Sequence, residues 1–164
     1  MKKIAACLWF AKDGEKAARF YCSVFKGKMG AVSRYGKSGP GKPGSVMLAE
    51  FELLGQPFQA LNGGPAFKIN PAISFSIPCK DQKEVDYYWS RLTKGGKAVQ
   101  CGWLEDKFGV SWQVVPEELL RLHQHKDPAV RERVMGAMMG MVKLDVAALK
   151  RAAVAGDSAK KPRA

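Results

Sequence analysis

Short apolar runs alternate with stretches of helical spacing along this chain, and the series occurs twice. Ile4 to Phe10 is rich in strand formers. Behind it Ala17, Phe20, Tyr21 and Val24 recur at the spacing of one helix face, with Asp13 in N-cap position. Gly27 to Gly30 ends that helix. Ser45 to Leu53 reads as a strand, Gly55 turns the chain into Gln56 to Asn62, and Asn62-Gly63-Gly64-Pro65 closes the segment with turn chemistry. The series then restarts. Ile73 to Ile77 is apolar, and Asp81 with Glu84 makes a capping-box-like start. Val85, Tyr88, Trp89 and Leu92 form a helix face, and strands follow near Ala98 to Trp103 and Val110 to Val115. Beyond Pro116 the pattern is helical. Asp127-Pro128 is an N-cap with proline in the first turn. Met135, Met138, Met139 and Val142 then recur at helical spacing, which predicts packing against the sheet or a second subunit, or a movable lid over a ligand.

The two halves repeat each other in sequence as well as in pattern. Asp13 and Asp81, and Gly27 and Gly95, share an offset of 68. GQPFQAL (Gly55 to Leu61) matches GVSWQVV (Gly109 to Val115) at an offset of 54, so the first half carries 14 extra residues. The simplest place for them is the Gly/Pro-rich stretch Tyr35 to Gly44. A duplicated unit of this size predicts one pseudo-symmetric domain with its site at the shared interface. In each copy the order is strand, helix, then two or three strands. Phe58 and Trp112 occupy matching positions and are expected in the core.

Composition narrows the classes. A chain of 164 residues is large enough for a hydrophobic core without metal or disulfide staples. No apolar run approaches the roughly 20 residues of a membrane span, and the opening MKKIAACLWFAKDGE reads as a first strand, not a signal peptide. Cys7, Cys22, Cys79 and Cys101 show no C-x-x-C spacing and are expected as reduced, buried thiols of a cytoplasmic protein. The net charge of +12 raises nucleic acid as a partner. Its distribution argues otherwise: residues 1–121 carry 18 Lys/Arg against 11 Asp/Glu, and residues 122–164 carry 9 against 4. The excess is scattered, with its densest cluster in the small, basic stretch 156–164, which is expected to be disordered. His123 and His125 lie two apart on a helical stretch and point away from each other, so they make no metal pair. Asp106 beside Lys107 reads as surface pairing.

The segments LWFAKDGEKAARFY (Leu8 to Tyr21), QPFQALNGGP (Gln56 to Pro65), PAISFSI (Pro71 to Ile77), WLEDKFGVSWQ (Trp103 to Gln113) and RVMGAMMGMVKLDVAAL (Arg133 to Leu149) occur in an order that resembles the glyoxalase/bleomycin-resistance superfamily. This superfamily is also called vicinal oxygen chelate. Closer still is its PhnB-like branch, which carries the legacy label 3-demethylubiquinone-9 3-methyltransferase. The match covers about residues 4–150. It implies an α+β fold in which two βαβββ units, about 1–65 and 70–121, form an open cup-shaped sheet within a domain of residues 1–121. A C-terminal helical extension over 122–155 follows. Family members commonly form homodimers, to which the methionine-rich helix is a natural contributor.

The resemblance also carries candidate positions. Metal-dependent members place a histidine-type ligand seven residues before the helix-capping Asp, which gives Ala6 and Ser74. They place a carboxylate four after the turn glycine, which gives Gln59 and Gln113. Ala6 cannot ligate, Ser74 is a poor ligand, and two neutral amides lack the charge a divalent ion needs, so no metal and no cofactor are expected. The methyltransferase label implies a glycine-rich cradle between a strand and a helix, whereas NGGP at Asn62 to Pro65 reads as a turn between units.

If the cup forms, alternation points Gln59 and Gln113 inward with Ser74 on the neighbouring strand, the resemblance adds Ala6, and Trp103 stands at the rim. A tight hairpin at Leu54-Gly55 sets Glu50 opposite Gln59, where it is a general base, a site for a cationic ligand, or a solvated carboxylate paired with a lysine. Three functions stay open. The first is a small-molecule-binding protein. The second is an enzyme, either divalent-metal-dependent or using Glu50, of lyase, dioxygenase or thiol-transfer type on a small polar substrate. The third is a dimeric scaffold with a vestigial pocket.

Overall fold

The computed structural model of the protein describes residues 3–155, and the stretch 156–164 lies outside them. The chain is α+β and forms two compact units, Met1–Asn70 and Pro71–Ala164. The first holds β1 (Ala6–Phe10), α1 (Gly14–Phe25), β2 (Lys28–Arg34), β3 (Val46–Leu53) and β4 (Gln56–Asn62). The second holds β5 (Ser74–Cys79), α2 (Gln82–Leu92), β6 (Lys97–Ala98), β7 (Trp103–Glu105), β8 (Ser111–Pro116), α3 (Glu117–His123), α4 (Pro128–Met139) and α5 (Val146–Val154). Each unit builds one open four-stranded sheet of the same topology, β1-β4-β3-β2 and β5-β8-β7-β6, whose first pair is parallel.

In each sheet one face is apolar and covered by its helix. In the first unit Tyr21 of α1 stacks on Phe51, and Phe51 on Phe58, with ring centroids 6.0 and 5.2 Å apart. Ala17, Ala18, Ala49 and Ala60 close the space between them. In the second unit Val85 and Leu92 of α2 are fully buried, as are Leu104, Val114 and Cys79 on the strands, and Trp112 is 2% exposed. The caps differ. Asp81 accepts from the Glu84 amide at 2.9 Å, whereas Asp13 pairs with Lys16 and the first amide of α1 donates to Asn62 Oδ1 at 2.7 Å.

The two copies are displaced by one residue relative to the sequence repeat. The helices start at Gly14 and Gln82, an offset of 68. The strands do not keep it: Ala6 lies opposite Phe58 in the ladder and Phe75 opposite Trp112, an offset of 69. After the helix the same shift holds. A Cβ on Gly27 would sit 2.3 Å from the Glu52 carbonyl oxygen, and it is Gly96, not Gly95, whose Cβ would meet Glu105 O at 2.2 Å. The link into α1 has three residues and the link into α2 has two, which absorbs the difference.

The strand expected near Ala98 to Trp103 is instead a turn between β6 and β7, with Cys101 and Gly102 both at positive φ. That turn is where the C-terminal segment docks. Cys101 N and Gly102 N donate to Met141 O and Val142 O, each at 2.8 Å, and Gln82 accepts from Val146 N at 2.8 Å. Val115 of β8 joins Leu119, Leu122, Val130, Val134, Leu144 and Leu149 in one buried cluster. Burying Leu144 and Leu149 completely stabilises this arrangement by about 1.5–3 kcal/mol each. The boundary expected after residue 121 falls inside α3, and α3 to α5 lie in the same compact unit as the second sheet. The buried residues of α4 are Val130 and Val134, with Met138 partly buried against the same cluster, while Met135, Met139 and the following Val142 are exposed.

Candidate functional site

The face of each sheet away from its helix carries the polar side chains. Leu54 and Gly55, at φ 49° and 79°, form a two-residue hairpin turn, so Leu53 pairs with Gln56 and Glu50 with Gln59. Gln59 Nε2 lies 3.5 Å from Glu50 Oε1, the outer limit of a hydrogen bond. Both line a concavity of about 400 Å³ with Ala5, Lys28, Glu52 and Pro57. Ala6 is not part of this face. It shares the helix side with Leu8 and Phe10, whereas Cys7 lies opposite Gln59 in the ladder. The expected pocket position at Ala6 is therefore corrected to its neighbours, Ala5 at the rim of the concavity and Cys7 beside Gln59.

The second sheet assembles its own polar set. Gln113 Nε2 donates to Ser74 Oγ at 2.8 Å, and the register sets both Ser76 and Trp103 opposite Gln113. Ser74, Gln113 and Trp103 thus share one face, all half-buried. At the far end of the same face Val115 is covered by the C-terminal helices. Glu105 sits opposite Ser111 and pairs with Lys97 at 3.1 Å.

Two residues have roles that their sequence surroundings hid. Asp106 is 3% exposed, not a surface residue. Its carboxylate accepts from Phe108 N at 2.8 Å, Val110 N at 3.1 Å and the Trp112 indole at 2.8 Å, which builds the turn between β7 and β8. Cys7 is exposed, against the expectation of buried thiols throughout. Cys79 is fully buried, and burial, with Glu84, Asp81 and Glu117 adding to it, pushes its thiol up to about 12. A thiolate is the reacting form, so a thiol reagent added to native protein is expected to modify Cys7 first and Cys79 only on unfolding. Replacing Cys7 with serine should remove the fastest phase; fast labelling of Cys79 would contradict the burial described here.

Among the described residues no group of three His, Cys, Asp or Glu side chains is placed to hold a metal ion. The donors nearest the expected positions are amides and hydroxyls, with Glu50 opposite Gln59 across the hairpin and Glu52 beside it in the concavity. That set does not fit a catalytic divalent cation, which needs several charged or basic ligands. No helix among the described residues is long and apolar enough to cross a membrane.

Comparison with known proteins agrees with this architecture. The profile of a family described as 3-demethylubiquinone-9 3-methyltransferase matches residues 2–115. A PhnB protein from Bacillus cereus, described as a putative 3-demethylubiquinone-9 3-methyltransferase, is 34% identical. It covers 70% of this chain and 99% of its own, with a TM-score of 0.64. A protein from Pseudomonas aeruginosa is 21% identical over 71% of this chain and 98% of its own, with a TM-score of 0.61. A mutant of the fosfomycin resistance protein FosX from Listeria monocytogenes, complexed with Mn(II) and 1S,2S-dihydroxypropylphosphonic acid, is 15% identical over 68% of this chain and 90% of its own. Its TM-score is 0.51, a likeness of fold alone. A search of curated proteins finds no match.

Proposed function

The chain belongs to the 3-demethylubiquinone-9 3-methyltransferase family, and on that footing we propose that it is a cytoplasmic protein that binds a small organic molecule on the open faces of its sheets. The reading includes neither a catalytic metal nor methyl transfer. The observation that carries it is the Ser74–Gln113 pair with Trp103 alongside: a neutral hydrogen-bonding pair beside an aromatic side chain, suited to a polar organic ligand. Methyl transfer fits poorly because the strand-to-helix links, Ala11-Lys12-Asp13 and Lys80-Asp81, contain no glycine to cradle a donor. A homodimer belongs to the same proposal, and Met135, Met139 and Val142 are among the exposed apolar residues available to it.

A second reading rests on Glu50, which lies in the concavity across from Gln59 and is placed to act as a base on a bound polar substrate. Glu50→Gln separates the two, because a binding protein keeps its ligand in this variant and an enzyme loses turnover.

The test is a thermal-shift screen of chelator-treated protein against a metabolite library. A ligand present at a hundred times its Kd stabilises the folded state by about 2.7 kcal/mol, roughly 5–10 °C for a chain of this size. Gln113→Leu is expected to abolish most of that shift while leaving the melting temperature of the free protein within a few degrees of the parent. A ligand whose shift survives Gln113→Leu unchanged would refute the assignment of this face.

A further inference from the structure

The long loop between β2 and β3, residues 35–45, folds into a defined structure of its own. Tyr35 N donates to Ser45 O at 2.9 Å, Gly44 N to Tyr35 O at 2.8 Å, and Arg34 Nη1 to Gly44 O at 3.0 Å. The loop lies so close to the Tyr35 ring that a Cβ on Gly41 would stand 2.3 Å from it. Tyr35 in turn donates its hydroxyl to Asn62 O at 2.6 Å, tying the loop to the end of β4. Between this loop, the first turn of α1 and Asn62–Gly64 lies a concavity of about 380 Å³.

Its wall is cationic. Lys12 and Lys16 flank the start of α1 and Lys42 comes from the β2–β3 loop, and the one carboxylate of the wall, Glu15, is held by Arg19 at 2.7 Å. Acceptors that would repel an anion are engaged: Asn62 O by Tyr35, Gly64 O by the Trp9 indole at 2.9 Å, and Asn62 Oδ1 by Gly14 N. Lys16 pairs with Asp13 at 3.0 Å, while Lys12 and Lys42 make no ion pair among the described residues. We propose that this concavity binds a small phosphomonoester, with the phosphate between Lys12 and Lys42 and the organic group against Pro40 and Val46.

Ammonium groups are compact point charges that meet a tetrahedral dianion from several sides. A planar carboxylate is matched better by the guanidinium fork, and no arginine lines this wall. The volume stands at the lower end of ligand sites, about 300–1,000 Å³, and leaves room for a phosphate and a compact organic group but not a dinucleotide. The polar sheet faces that carry Gln59 and, in the other unit, Gln113 do not line this concavity, so either proposal can fail without the other.

Phenyl phosphate is the probe, titrated into the full-length protein by calorimetry at constant ionic strength, with benzoate as the planar comparison. One saturable site is expected for phenyl phosphate, weakened roughly tenfold or more by Lys12→Gln with Lys42→Gln. The charge-matched pair Lys94→Gln with Lys126→Gln, both exposed elsewhere, should leave it unchanged. In nuclear magnetic resonance spectra the amide shifts should centre on Gly41, Gly63 and Gly64. Equal weakening by both double variants would mean diffuse attraction to a basic protein and overturn the proposal. Benzoate binding as tightly as phenyl phosphate, or no saturable site, would do the same.

Discussion

Replacing Asp106 with alanine is expected to lower the stability of the protein by about 4 kcal/mol, because three donors lose their acceptor at once. The Trp112 indole and Val110 N are buried, and both lose the acceptor that Asp106 supplies. A buried donor without an acceptor costs about 1–3 kcal/mol, so the loss exceeds that of an ordinary surface ion pair, about 0–1 kcal/mol. Asp106→Asn tells the two parts of the bond set apart. It keeps an oxygen for the two backbone amides but turns an NH2 group towards the indole N–H, for an expected loss of about 2 kcal/mol. Urea unfolding followed by far-ultraviolet circular dichroism measures both. An alanine variant within about 1 kcal/mol of the parent would place Asp106 at the surface after all.

Gly102→Ala is expected to cost about 3 kcal/mol, from two sources that add. Gly102 has φ +81°, where a side chain costs about 1–2 kcal/mol. Its Cβ would also stand 2.9 Å from both Leu144 Cδ1 and Val114 O, and such overpacking costs about 1–3 kcal/mol. Gly44 is the control, since it has the same φ of +81° but open space around the Cβ position, so Gly44→Ala should lose only the backbone part. The excess at Gly102 reports how firmly the segment Met141 to Leu144 is seated on the second sheet. Early cleavage near Val142 by a protease, in the Gly102 variant but not the Gly44 variant, is the accompanying signature. Equal losses at the two glycines would mean that neither Leu144 nor the β8 backbone presses on this turn.

Much of the fold was legible because its signals are local. The hairpin at Leu54-Gly55 announces its register through two residues, and Glu50 opposite Gln59 follows by counting. The duplicated order of strand and helix, and Phe58 and Trp112 as core aromatics, likewise follow from period and matching position. The failures are tertiary. Ala6 was placed by counting back from Asp13, but Asp13 and Asp81 mark helix starts, and the preceding links differ by one residue. A slip of one residue in a strand moves a side chain to the opposite face. Asp106 lies in a charged Glu-Asp-Lys run that looks solvated, and only the indole of Trp112 on the following strand shows that the carboxylate is enclosed. The run Ala98 to Trp103 has strand formers at both ends, yet Gln100, Cys101 and Gly102 make a turn because the backbone donors of Cys101 and Gly102 are taken by Met141 and Val142, some 40 residues away. The cationic concavity was invisible for the same reason, since Lys12 and Lys42 line one concavity only through the folded loop between β2 and β3.

If the polar face carrying Ser74 and Gln113 serves an organic ligand, as proposed, it holds no catalytic metal. The most direct test is metal content by mass spectrometry on untagged protein, before and after soaking in Mn(II), Fe(II) and Zn(II). No stoichiometric metal is expected under any loading. One ion per chain, lost when Gln59 and Gln113 are both replaced by alanine, would contradict the account and make metal-dependent chemistry the leading alternative.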